Sequence, residues 1–231
     1  MYALFALVMS VSGAQPDKAG LSGNGKVQLD GEVVEVYWDD GDTFKVVSTG
    51  QSARLVGYNT LESYGPVHKF GPGPAALFGV AKAATQVAIG SVWQCQTQEG
   101  TGGYGRAVVD CPDLRSALLT AGLAHAFSVS GPAPAADIAD QQRGIDAKLG
   151  MWAQGAPLSI VTSAHSVDEK PGQQESYNRI LDVATGHAPK RPHTQAYAAC
   201  SWACVGESCL LYIPYKQRYG GAKADCLKSE K

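Results

Sequence analysis

Residues 39–62 read DDGDTFKVVSTGQSARLVGYNTLE. An acidic turn, Asp39-Asp40-Gly41-Asp42-Thr43, leads into the β-branched run FKVVS. A second turn at Thr49–Gly50 leads into ARLVGY. Alternating apolar and polar residues bounded by Gly and Asp predict strands joined by tight turns. Upstream, the same alternation from Lys26 to Trp38 predicts a first strand. Downstream, the Ala-rich stretch 74–88 opens on Pro and predicts a helix. SVWQCQT and YGRAVVDC then predict two strands around the Gly-rich EGTGG. Residues 113–122, with Asp at the start and Gly at the stop, and residues 135–152 predict two more helices. The expected fold class is therefore α+β, with five strands closed into a small Greek-key barrel and three helices.

Composition narrows the function classes. The 231 residues carry 19 Lys and Arg against 21 Asp and Glu, a net charge of −2. That excludes nucleic-acid binding by bulk positive charge. Hydrophobic residues make up 45%, enough for a packed core, and 27 Gly with 12 Pro favour turns and short strands over a helical bundle. Residues 15–155 hold 10 basic residues against 14 acidic ones, while 156–231 hold 9 against 7. Any polyanion must therefore be met by a local basic site, for which Arg54, Arg106, Lys45 and Lys69 are the candidates.

Residues 3–11, ALFALVMSV, followed by small Ser12 and Ala14, predict a signal peptide over 1–14, although no basic residue precedes the apolar run. The run is shorter than the ~20 residues a membrane span needs. The expected location is secreted or periplasmic, with no membrane span and no obligate protein partner. Residues 15–25 read as a flexible lead-in, 26–155 as the barrel domain, and 156–231 as a cysteine-rich C-terminal region.

Four pieces carry the chemistry: the DGDT turn, Arg54 through Glu62, Tyr104-Gly105-Arg106, and a helix running into Ala121-Gly122-Leu123-Ala124. Each alone is ordinary, since DGD is a common hairpin turn and a strand arginine is commonly a surface charge. In this order and spacing they closely resemble the staphylococcal nuclease (thermonuclease) family over residues 26–153, closing on Gly150-Met151-Trp152. The resemblance implies an OB-fold barrel capped by helices. It also implies calcium-dependent hydrolysis of DNA and RNA phosphodiesters to 3′-phosphates.

Carried over by position, the resemblance makes Arg54 and Arg106 phosphate-binding arginines and Glu62 the carboxylate that orients or deprotonates water. Asp42, Asn59 and the Thr60 carbonyl fall at calcium-ligand positions, Asp40 beside the metal, and Tyr104 at a substrate phosphate. These residue types suit that chemistry. Calcium takes oxygen ligands in irregular geometry, and a planar guanidinium meets two phosphate oxygens at once. Three departures weaken the pattern. Asn59 replaces an aspartate, Leu61 a proline, and Gly103 a lysine. The alternative function is therefore a weak or inactive OB-fold module binding nucleic acid or a protein partner. The segment Tyr64–Pro74, with His68 and Lys69, reads equally as a substrate-contacting loop or a solvated turn. His125, in an apolar context, reads as a packed histidine.

Cys95 and Cys111 flank the EGTGG hairpin at opposed positions and are expected to form a disulfide. Cys200, Cys204, Cys209 and Cys226 allow three pairings, or a four-thiolate zinc site that lacks the usual Cys-x2-Cys knuckles. A helical Cys-x3-Cys followed by a cysteine opening an apolar strand resembles half of a PAN/apple module. That resemblance implies Cys200–Cys226 and Cys204–Cys209, within a small disulfide-stapled β-rich appendage.

Overall fold

The computed structural model describes residues 21–228; the expected signal peptide lies outside them. The barrel begins with β1 (Gly23–Leu29), β2 (Glu32–Trp38), β3 (Thr43–Val46) and β4 (Ser52–Leu55). Next come β5 (Gly57–Thr60), β6 (His68–Lys69) and helix α1 (Pro74–Ile89). The chain continues through β7 (Trp93–Thr101), β8 (Ala107–Asp110), α2 (Pro112–Thr120), β9 (Ala124–Phe127) and α3 (Ala135–Asp146). The remainder is β10 (Ser159–Ser163), β11 (Ser176–Asp182), β12 (Lys190–His193), β13 (Ser201–Val205) and β14 (Ser208–Tyr212).

The fold is α+β, and the barrel closes with six strands in the order β1-β2-β3-β4-β8-β7, not five. The extra strand comes from Lys26–Trp38, which is a hairpin rather than one strand. Asp30 (φ 52°) and Gly31 (φ 92°) turn the chain back so that Val27 faces Val34. Both turn residues have positive φ, the geometry an Asp-Gly pair supplies in a two-residue hairpin. The strand also starts earlier than expected, because Gly23–Gly25 already pair with Val36–Trp38. The expected strand 104–111 is shorter: Gly103–Gly105 form a 3-10 turn with Tyr104 at φ 63°. The last helix ends at Asp146, and Gly150–Trp152 form a separate 3-10 turn.

Trp38 packs edge-on against Phe44, ring centroids 5.1 Å apart, within a core that includes Val27, Leu55, Val109 and Leu118. Such an aromatic pair contributes about 1 kcal/mol beyond its area burial. Gly57, at φ 85°, turns the chain out of the barrel after β4, and β5 pairs instead with β9. A Cβ there would sit 2.6 Å from Arg115 Cδ. Arg115 clamps this corner through Asp110, Asp137 (2.9 Å) and the Val56 carbonyl (3.4 Å).

The segment after Gly155 is sewn into the same body. β14 pairs with β6, aligning Leu210 with His68, and the Leu211 N–H donates to the Val67 carbonyl at 2.8 Å. The solvated-turn reading of Tyr64–Pro74 is thereby overturned: Tyr64, Val67 and His68 are buried beneath β14 and its neighbours, and Phe70 is buried in the core that holds Leu77 and Trp152. Cys200 and Cys204 do not lie on a helix. Cys204 sits on β13 directly opposite Cys209 on β14, and these two are joined. Cys95 is joined to Cys111, and Cys200 to Cys226. Three disulfides suggest an oxidising compartment. Among the described residues no helix is long and apolar enough to cross a membrane.

Candidate functional site

The site begins at the turn between β2 and β3. Gly41 has no room for a side chain there, since a Cβ would stand 2.8 Å from Thr60 Cγ2 and 2.9 Å from the Ala84 Cβ. The Tyr58 hydroxyl donates to the Gly41 carbonyl at 2.8 Å, and the Asp42 N–H donates to Asp40 Oδ1 at 3.0 Å. Together these hold the turn against β5 and drive the Asp42 carboxylate inward, where it is 2% exposed.

Four donors meet that carboxylate. Oδ2 accepts the Thr60 N–H at 2.8 Å and the Thr60 hydroxyl at 3.0 Å. Oδ1 accepts the Thr43 hydroxyl at 3.0 Å and an Arg54 Nη1 hydrogen. Burial works against the Asp42 charge, but the Arg54 guanidinium and the Thr60 hydrogen bonds hold its carboxyl below the usual range. Burial and the neighbouring Asp42 charge push the Asp40 carboxyl well up. The other arm of Arg54, Nη2, donates to Asn59 Oδ1, and the Asn59 amide donates to the Thr60 carbonyl at 2.8 Å.

The three oxygen donors implied as calcium ligands are thus engaged among themselves and with Arg54. A carboxylate has about four lone-pair directions, and all four on Asp42 are used. In this arrangement the donor set does not fit calcium, because the Arg54 guanidinium takes up Asp42 Oδ1 and Asn59 Oδ1 while Thr60 and the Asn59 amide engage Asp42 Oδ2 and the Thr60 carbonyl. Among the described residues no group of three or more His, Cys, Asp or Glu could hold a metal.

Glu62 follows β5 at the junction of two cores, with Leu61 packed on one side and Tyr64 on the other. Its N–H donates to His68 Nε2 at 3.1 Å, so β6 aims the residue. Burial pushes its carboxyl up; Arg218 is the strongest opposing influence, Asp42 pushes it further up, and Arg54 pulls it down. His125 is a fully buried packed histidine, opposite Asn59 in the β5–β9 register.

The other expected residues divide. Thr43 aligns with Arg54, which aligns with Val108; Lys45 aligns with Ser52 in the next row. Side chains alternate along extended backbone, so Lys45, Arg54 and Arg106 share the outer face of the barrel. Arg106 does not join the carboxylate cluster: its Nε donates to the Gly103 carbonyl at 3.1 Å. Tyr104 stands 99% exposed beside it. Lys69 lies on the C-terminal side, its Nζ 6.0 Å from the Trp202 ring centroid.

Sequence reasoning names His68 only as part of the Tyr64–Pro74 segment, without its role, and misses Arg218. His68 positions the Glu62 backbone, and Arg218 enters from a part of the chain with no local motif to announce it. The β6–β14 pairing is what brings them in. No protein-family model matches the chain, and no curated protein does.

Proposed function

We propose that this protein is an exported nuclease of the staphylococcal-nuclease type, hydrolysing phosphodiester bonds of DNA and RNA to 3′-phosphates. One observation carries the reading. Asp42, Arg54, Asn59 and Thr60 converge at one rim of a closed barrel, the Glu62 charge acts on Arg54 from just beyond β5, and Lys45 and Arg106 lie on the adjoining outer face. In a chain of net charge −2, this is the local concentration of guanidinium and carboxylate that a phosphodiester needs.

In this reading Arg54 keeps its ion pair with Asp42 and turns its other arm, Nη2, from Asn59 to a phosphate oxygen, stabilising the charge that builds there. Preorganised donors of this kind contribute about 3–4 kcal/mol to the transition state. Glu62, whose carboxyl is raised by burial, orients or deprotonates the attacking water. Arg106 binds a neighbouring phosphate. No step is assigned to calcium, because Asp42, Asn59 and Thr60 offer it no free oxygen set in this arrangement. Export accords with the three disulfides.

The test is degradation of plasmid DNA and of RNA, with calcium and with chelator, by wild type and by Glu62→Gln. Cleavage that Glu62→Gln abolishes supports the reading. No cleavage in any divalent metal or at any salt overturns it. A second reading, a non-catalytic barrel that binds nucleic acid or a protein partner, is favoured by the closed Asp42–Arg54–Asn59 network. Absent turnover, with binding that Arg106→Ala leaves unchanged, selects that reading.

A further inference from the structure

We propose that Arg218 is a phosphate-binding residue of this site and that Tyr219 and Tyr215 beside it form a stacking surface for a nucleobase. The ligand is then a single nucleic-acid strand lying across the seam between the barrel and the C-terminal segment. The inference rests on the nuclease reading and extends it to residues outside the motifs that prompted it.

The C-terminal segment is held firmly over the Glu62 region. Leu227 packs on Gly65, where a Cβ would come within 2.6 Å of Leu227 Cδ2, and Cys226 is tied to Cys200. The Ala224 N–H donates to the Gln217 carbonyl at 3.0 Å. On this platform Arg218 Nε donates to the Ile213 carbonyl at 3.0 Å, and Cζ stacks 4.8 Å from the Tyr64 ring centroid. The Arg218 charge is the strongest influence drawing the Glu62 carboxyl down, which places the guanidinium within electrostatic reach of the candidate water-orienting carboxylate.

The fork of Arg218 is held but not spent. Among the described residues no hydrogen bond or ion pair uses its two terminal nitrogens. Arg115 and Arg54 differ: the first is committed to Asp110, Asp137 and a carbonyl, the second to Asp42 and Asn59. A stacked, part-buried guanidinium with two free donors is preorganised for a phosphate, which it meets as a fork. The aromatic neighbours fit the same ligand. Tyr219 stands edge-on to Tyr64 at 6.2 Å and is 58% exposed, and Tyr215 is 77% exposed. Exposed rings beside a cationic side chain are a means of holding single strands without sequence preference.

The experiment is fluorescence anisotropy of a labelled oligothymidylate with the full chain in chelator, over a salt series, alongside cleavage kinetics. Arg218→Gln is expected to weaken binding roughly tenfold, as loss of a charge-assisted hydrogen bond does. It also lowers the log–log salt slope by about 0.7, the share of one single-strand phosphate. Arg218→Lys keeps the slope and part of the affinity, and decides the matter should Arg218→Gln fail to fold. Tyr219→Ala weakens binding with the slope unchanged. Arg143→Gln, an exposed control on α3, alters neither. Wild-type affinity and slope in Arg218→Gln, beside an active wild type, overturn this inference alone. A wild type that neither binds nor cleaves overturns the nuclease reading as well.

Discussion

The buried pair His68 and His125 is expected to contribute a loss of stability in acid, and the size of that contribution follows from two facts. Both rings are almost fully buried, at 4% and 0% exposure. Burial holds His68 down at about 3 and His125 at about 4, against about 6.5 for a free imidazole. Nδ1 of His68 and Nε2 of His125 have no partner among the described residues, and the Ala126 carbonyl and the Asp42 charge, which favour a charged His125, do not offset its burial. In the unfolded chain both rings protonate normally. At about pH 5 each unfolded imidazole gains about 2 kcal/mol from proton binding, while the folded rings, titrating below that pH, gain almost nothing. At these two rings the unfolded state therefore binds more protons below about pH 6.5, and their contribution to stability falls as pH drops, levelling off below the folded values. Two rings together remove about 4 kcal/mol between roughly pH 8 and pH 5, a large part of the 5–15 kcal/mol typical of a domain.

Asp40 and Glu62 act in the opposite sense, since their carboxyls are raised in the fold. The histidine contribution is therefore isolated by comparison with variants. Urea unfolding is measured for wild type, His68→Gln and His125→Asn, with disulfides intact and ionic strength fixed. Each variant is expected to lose about 2 kcal/mol less than wild type between roughly pH 8 and pH 5, whatever its stability at the upper end. Parallel pH curves for wild type and both variants would show that the buried imidazoles are not the source. The same proton bears on the site, because protonating His68 Nε2 removes the acceptor that aims the Glu62 backbone.

Arg54→Ala leaves a buried Asp42 carboxylate without its cation and is expected to lower unfolding free energy by about 3–5 kcal/mol; a loss under about 1 kcal/mol in urea shows that the pair is not structurally coupled. Gly41→Ala drives a methyl into Thr60 and Ala84 and is expected to destabilise by about 1–3 kcal/mol. It also reduces cleavage by displacing Asp42, and an unchanged melting point together with unchanged activity contradicts the packing. Replacing Cys95 and Cys111 with Ser opens a loop of sequence separation 16, for an expected loss of about 3 kcal/mol. Identical urea midpoints of that variant and wild type refute this.

Local rules settle part of this molecule from its residues alone. Alternation and turn residues locate the strands from Phe44 to Leu55, the Ala-rich helix and the acidic turn, because each depends on neighbours a few residues away. Alternation alone carries Lys26–Trp38 through as one strand, although the Asp-Gly pair inside it is the signature of a hairpin, and the barrel gains its sixth strand there. Tyr64–Pro74 carries Gly and Pro enough for a solvated turn; the burial of Tyr64, Val67 and His68 depends on β14, about 140 residues away in the chain. The candidate site divides the same way. Asp42, Arg54, Asn59, Thr60 and Glu62 lie within one short stretch and are legible in it. The saturation of Asp42 by Arg54 is not, since it depends on how β3, β4 and β5 place their side chains. Nor is Arg218 legible, a lone arginine in a segment whose local pattern says nothing of a site. The pairing of β6 with β14, which is blind to separation along the chain, is what lays the C-terminal segment over Glu62 and sets beside it a guanidinium with two unspent nitrogens.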